Sequence, residues 1–141
     1  MVSIFEMAKT TLRGIPMKKK ILVVDDEPEI TEGLSEQLSL SGYDAITAAD
    51  GKEALRKVQL EKPDLIILDV VMPKMNGAAV CATLKENPKT KEIPIIFVTG
   101  LRPKEDELRG IEVGGYPIFA KPFNFDELLA TIRELTSRKK P

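Results

Sequence analysis

Short apolar runs that alternate with amphipathic segments constrain this chain more than any other feature. Residues 21–24, 65–68 and 93–98 are almost continuously apolar and bounded by polar or turn residues, the pattern of strands buried on both faces of a parallel sheet. Between and after them, apolar residues recur at helical spacing: Ile30, Leu34 and Leu38; Ala54, Leu55 and Val58; Val80 and Leu84; Leu108 and Ile111; Leu128, Leu129, Ile132 and Leu135. Two weaker strands, 43–48 and 116–120, complete five repeats of strand then helix. Strict alternation of this kind predicts an α/β fold with a parallel sheet and helices on both faces. Pro117 cannot donate a ladder hydrogen bond, which puts the last strand at a sheet edge.

Caps mark the helix starts. Pro28 suits a first helical position, and Asp50 with Glu53, like Asn124 with Glu127, has the spacing of a reciprocal capping box. Gly42 suits a helix stop. With 141 residues the chain is one domain with a short appendage. Its globular part is expected at 17–141, ending in a short basic tail, Arg138-Lys139-Lys140-Pro141. Residues 1–16 precede a second plausible start, Met17-Lys18-Lys19-Lys20, and are expected to be a flexible extension.

The side-chain inventory excludes several chemistries. The chain has no histidine, which removes imidazole bases, phosphohistidine relays and most zinc or iron sites, so such chemistry has to come from a partner. A single cysteine, Cys81, makes no internal disulfide, and no run approaches the ~18 apolar residues of a membrane span. The first residues lack a secretory pattern; the expected location is cytoplasmic, with no membrane partner. Lys plus Arg (21) nearly balances Asp plus Glu (22), for a net charge of −1, so no direct nucleic-acid partner is expected.

Sites in open α/β sheets form beyond the carboxyl ends of the strands, and what stands there is selective. The first strand ends in Asp25-Asp26, the third in Asp69, the fourth in Thr99 and the fifth in Lys121-Pro122. Each has an ordinary alternative. Asp25 and Asp26 equally suit capping of the next helix, Asp69 suits a turn before Met72-Pro73, Thr99 suits a β-branched strand end, and Lys121 alone suits a solvated charge. Their conjunction carries the argument. Two carboxylates about 5 Å apart repel by roughly 3 kcal/mol at an effective dielectric near 20, so three together require protonation or a cation. With oxygen ligands and neither histidine nor a second thiol, Mg²⁺ is the suitable ion. One carboxylate can then attack phosphorus, with Mg²⁺ and Lys121 neutralising the phosphoryl oxygens and the Thr99 hydroxyl bonding one of them.

The strings ILVVDDEP, DLIILDVVMPKMNG, PIIFVTG and AKPF, in this order and over about residues 18–137, resemble the receiver domain of two-component response regulators. The resemblance implies a flavodoxin-like (βα)5 three-layer sandwich with a five-stranded parallel sheet in the order 2-1-3-4-5. It implies a phosphorylation-activated signalling switch and not a turnover enzyme. In that reading Asp69 accepts phosphoryl from a phosphohistidine on a sensor histidine kinase or histidine phosphotransfer protein. Asp25, Asp26, Asp69 and the backbone carbonyl of Val71 would hold Mg²⁺, while Thr99 and Lys121 would meet the phosphoryl group. The Lys121-Pro122 peptide would be cis, Gly100 would leave room above the acceptor, and the output would pass to a downstream protein effector.

Several positions depart from the pattern. Receivers usually carry Tyr or Phe three residues before the lysine, and here Ile118 stands there; by strand alternation Tyr116 shares its face and Phe119 does not. Switching is therefore expected to work through Thr99 and the fourth helix without an aromatic rotation. Gly110 and Gly114-Gly115 predict a pliable fourth helix. Val71 and Leu101, both aliphatic, flank the path of an attacking water and predict a long-lived phosphoryl group. Cys81 reads as a small apolar side chain. Two other functions stay open: a Mg²⁺-dependent phosphohydrolase with an aspartate nucleophile, disfavoured because Val71 occupies the place of its second acid, and a degenerate receiver that only binds a partner.

Overall fold

The computed structural model describes residues 18–100 and 114–137. In chain order they form β1 (Lys20–Val24), α1 (Pro28–Leu40), β2 (Asp44–Ala48), α2 (Gly51–Glu61), β3 (Leu65–Asp69), α3 (Gly77–Glu86), β4 (Ile95–Thr99), β5 (Ile118–Ala120) and α4 (Phe125–Ser137). The expected helix around Leu108 and Ile111, with Gly110, lies outside the described residues, as do Leu101, the extension 1–16 and the tail 138–141. All pairings are parallel, as strand-helix alternation predicts, and the sheet order is β2-β1-β3-β4-β5, the order the family resemblance implies. Among the described residues no helix is long and apolar enough to cross a membrane.

Alternation along the central strands builds two cores. Leu22, Val24, Ile66, Leu68, Ile95 and Phe97 face Ala54 and Val58 of α2 and Val80, Cys81 and Leu84 of α3. Ile21, Val23, Leu65, Ile67, Ile96 and Val98 face Leu34 and Leu38 of α1 and Leu128 and Ile132 of α4. The continuous apolar runs exist because β1, β3 and β4 are covered on both sides; each large side chain buried there is worth about 1.5–3 kcal/mol.

Local chemistry sets the element ends. The Asp50 carboxylate accepts the Glu53 N–H at 2.7 Å, and the Asn124 side chain accepts the Glu127 N–H at 3.0 Å. The return bond from Glu53 goes to the Ala49 N–H, 3.4 Å away, one residue ahead of the expected box. Gly42 ends the α1 turn at φ +94°, which its missing Cβ allows. β4 starts at Ile95 and not at 93, because the Ile93 N–H is already bonded to Thr90 O (3.1 Å) and Pro94 has no N–H to offer. Likewise β5 starts after Pro117, which contributes only its carbonyl, accepting the Phe97 N–H at 2.9 Å.

The register sets the height of the functional rim. Val24 pairs with Leu68, Asp69 with Val98, and Thr99 with Ala120. Asp25 and Asp69 therefore follow partnered residues at one level, and Lys121 emerges one step above Thr99 on the neighbouring strand. Because β2 lies outside β1, its unremarkable end, Ala48-Ala49, is not among the residues that line the cleft.

Candidate functional site

Asp25 uses both of its carboxylate oxygens at the end of β1. Its Oδ1 accepts the Glu27 N–H at 2.9 Å, fixing the entry to α1, while its Oδ2 lies 2.6 Å from Lys121 Nζ. Asp69 divides its oxygens in the same way: Oδ1 accepts the Val71 N–H at 3.2 Å and Oδ2 is 3.4 Å from Lys121 Nζ. Lys121 reaches them from the end of β5. Its own N–H donates to Thr99 O at 2.8 Å, and the Lys121-Pro122 peptide is cis. Gly100 makes room, although for the lysine stem: a Cβ there would stand 3.1 Å from Lys121 Cδ. Thr99 closes β4, half-buried beside this crossing.

These residues surround a cleft of about 550 Å³ lined by Asp26, Glu27, Asp69, Val71, Met72, Pro73, Gly100 and Lys121. Asp25, 2% exposed, lies beneath it, and Asp69 is 3% exposed. Burial raises the Asp69 pKa to about 6, and the nearby Asp25 charge adds to the rise; Lys121 and the Val71 N–H oppose it without cancelling it. For Lys121, burial pulls the other way, but the bond to Asp25 and the charges of Asp69 and Asp25 outweigh it and raise the pKa, so the ammonium stays charged. One ammonium thus faces the carboxylates of Asp25, Asp69 and, at 3.7 Å, Glu27. Oxygens of Asp25, Asp26 and Glu27 also come within 4.8 Å of one another. The site carries more negative than positive charge, and every donor in it is oxygen.

The loop after Asp69 is braced from below. Gly77 N–H donates to Val70 O at 2.9 Å, and a Cβ on Gly77 would stand 2.2 Å from Asp69 O. At the first turn of α2, a Cβ on Gly51 would stand 2.9 Å from Met75 Sδ, so the missing side chain is the seat of Met75. Lys74 between them adopts φ +68°, a strained conformation for a lysine and one common beside functional sites. Gly77 and Lys74 both lie in the MPKMNG string, but only the glycine announces its conformational role; a lysine at position 74 gives no hint of a positive φ.

Tyr116 and Ile118 pack on the α2–α3 side of the sheet and Phe119 on the other, as alternation predicts. Tyr116 is pinned. Its ring meets Phe97 edge-on at 5.6 Å and 77°, Lys85 Nζ lies 5.6 Å from its centre, and its hydroxyl lies near the Cys81 thiol. Burial, then the neighbouring Cys81, raises its pKa to about 12, and burial raises that of the Cys81 thiol.

Comparison with known proteins agrees with this arrangement. The response regulator receiver domain family matches residues 21–133. The chain is 50% identical over 121 residues to the "Probable transcriptional regulator ycf27" of Cyanophora paradoxa, covering 86% of this chain and 49% of that protein. It is 44% identical over 122 residues to the alkaline phosphatase synthesis transcriptional regulatory protein PhoP of Bacillus subtilis (strain 168), covering 86% of this chain and 50% of that one. The chain therefore spans about half the length of these curated relatives. Among solved structures, the chemotaxis protein CheY4 of Vibrio cholerae superimposes with a TM-score of 0.75 at 34% identity, over 84% of this chain and 98% of that one. Fold, cleft and kinship agree: the chain belongs to the response regulator receiver domain family of two-component signalling.

Proposed function

We propose that this chain is a phosphoryl switch in which Asp69 is the acceptor. The single observation that carries the reading is that Lys121 Nζ bridges Asp25 and Asp69 at the open end of the sheet, a pairing that needs three strands to end together. A carboxylate oxygen of Asp69 attacks the phosphorus of a phosphohistidine on a partner histidine kinase or phosphotransfer protein. The bond from phosphorus to the imidazole nitrogen breaks, and the leaving nitrogen takes up a proton. The product is an acyl phosphate on Asp69. Lys121 would neutralise one phosphoryl oxygen and Thr99 would hydrogen-bond another. Because this chain has no histidine, the donor imidazole has to be the partner's.

The residues present fit Mg²⁺. The donors are all oxygen, several carboxylates converge, and Lys121 alone does not balance them. Asp25, Asp26, Asp69 and the Val71 carbonyl would hold the ion. When bound it supplies positive charge to the oxygens of the transferring group. A protein effector then reads the phosphorylated state; to this chain we assign the switch alone. Residues 17–141, the expected globular part with its basic tail, would be the switching unit.

Incubation with Mg²⁺ and phosphoramidate, followed by intact mass, tests the reading. One added phosphoryl group, lost in Asp69→Asn, is expected. Multiple turnovers of a phosphate ester would favour a phosphohydrolase instead, and no uptake by folded protein would reduce the chain to a binding module.

A further inference from the structure

We propose that Glu27 is a positioning residue for phosphoryl transfer: its carboxylate holds the Lys121 ammonium at the cleft mouth in the resting state, and this contact yields when Lys121 turns to a phosphoryl group on Asp69. The inference rests on the roles given above to Asp69 and Lys121.

Glu27 occupies the N-cap of α1 in an extended conformation (φ −97°, ψ 108°), yet its side chain makes no capping bond. The usual capping residues are shorter, and glutamate carries a methylene too many to fold back onto the first turn. The work is done around it. Asp25 Oδ1 takes the Glu27 N–H at 2.9 Å, and Pro28 at the first helical position has no N–H to satisfy. The Glu27 carboxylate is thereby left to reach across the cleft, where Oε1 lies 3.7 Å from Lys121 Nζ.

The three partners of Lys121 are not equivalent. Asp25, at 2.6 Å, has a side chain only 1% exposed, so water cannot replace the lysine there; Asp69, at 3.4 Å, is the acceptor itself. Glu27 has the longest contact and a side chain 62% exposed, so its carboxylate is readily hydrated when the lysine leaves. It is the contact that can be surrendered. A phosphoryl group on Asp69 adds negative charge opposite Glu27, so the same carboxylate that holds Lys121 back also repels the product. Both effects bias the switch toward its unphosphorylated state.

Glu27→Gln, Glu27→Asp and Glu29→Gln decide the matter. Glu29 is exposed in the same first turn but is not an ion-pair partner of Lys121, so its variant reports the general loss of a charge. With phosphoramidate at saturating Mg²⁺, intact mass should show Glu27→Gln accepting phosphoryl roughly 1.5- to fivefold faster than wild type, the range expected for releasing one exposed ion pair. Glu27→Asp, with its charge kept and its reach shortened, should fall between, and Glu29→Gln should match wild type. Without metal, the Lys121 Nζ resonance should move in both Glu27 variants and stay put in Glu29→Gln. Equal acceleration by Glu27→Gln and Glu29→Gln, no acceleration, or an unmoved Lys121 resonance overturns the proposal. If wild type accepts no phosphoryl group, the proposed function fails, and the metal-free resonance still decides whether Glu27 holds Lys121.

Discussion

Gly77 approaches Asp69 so closely that a methyl group on its α-carbon would stand 2.2 Å from the Asp69 carbonyl oxygen. The first residue of α3 is thus pressed against the backbone of Asp69, and only glycine fits. Gly77→Ala has to move either α3 or the end of β3. Overpacking of this kind costs about 1–3 kcal/mol, and here the displaced atom belongs to Asp69. Gly51→Ala should cost less, since the nearest atom its Cβ meets, Met75 Sδ at 2.9 Å, is in a flexible side chain, although Val80 Cγ2 stands at the same distance. Urea denaturation should rank Gly77→Ala below Gly51→Ala below wild type, and phosphoramidate labelling should fall most in Gly77→Ala.

Asp69 is held at a cost to stability. Its pKa rises from 3.8 to about 6 on folding, through burial and the Asp25 charge. An acid with a raised folded pKa binds its proton more tightly when folded, so its favourable contribution is present below the unfolded value and lost as pH rises through about 6. At pH 7 without metal, Asp69→Asn should therefore be more stable than wild type by on the order of 2 to 3 kcal/mol, at about 1.36 kcal/mol per pKa unit. The gap should shrink as pH falls from 7 toward 4. Saturating Mg²⁺ should also narrow it, since the ion binds the folded wild type. Chemical denaturation across this pH range, with and without Mg²⁺, provides the check; a variant no more stable than wild type at pH 7 would refute the electrostatic account.

The parts legible in the sequence are those written in local chemistry. Apolar runs give β1, β3 and β4, and the carboxylates after them give the cleft, because a strand buried on both faces can carry charge only at its end. Asp50 and Asn124 announce their helices by capping. Other features depend on what meets across the fold. The reach of Glu27 to Lys121 joins the start of α1 to the end of β5 and leaves no periodic trace; a glutamate directly before a helix-starting proline is its one hint. Lys62 and Lys74 take left-handed conformations, φ +48° and +68°, where a glycine or asparagine would have signalled the turn. The seat of Met75 on Gly51 likewise depends on how α2 packs against the loop after β3.

Tyr116 should keep its place when the switch fires. The edge-on Phe97 contact and Lys85 hold it on the α2–α3 side, and its ring lies where a Gly114 side chain would have to go, 2.3 Å from the position of a Cβ. Structures with Mg²⁺ alone and with Mg²⁺ plus fluoroberyllate should show the same Tyr116 rotamer; an inward swing past Ile118 would contradict this. Tyr116→Phe removes the hydroxyl and should cost about 1 kcal/mol. The raised folded pKa of Tyr116, about 12, means that its contribution is present below pH 10 and lost as pH climbs from 10 through 12. Wild type should therefore lose stability faster than Tyr116→Phe over that alkaline range, in parallel denaturation series.

Val71 should set how long the phosphoryl group lasts. Its N–H donates to Asp69 Oδ1 at 3.2 Å, so its backbone is tied to the acceptor while its side chain lines the cleft through which water must approach. An aliphatic side chain offers such a water no hydrogen bond. Asparagine at this position keeps the backbone bond and adds a donor and an acceptor beside the phosphorus, which should hold a water in line for attack on the acyl phosphate. Val71→Asn should shorten the phosphoryl lifetime roughly tenfold, the rate equivalent of about 1.4 kcal/mol in the barrier. Val71→Ala should leave it nearly unchanged, since widening the cleft without placing a polar group does not orient the water. Loss of the phosphoryl mass after removal of the donor measures both, and equal lifetimes for wild type and Val71→Asn would show that the side chain after the acceptor does not govern the water's approach.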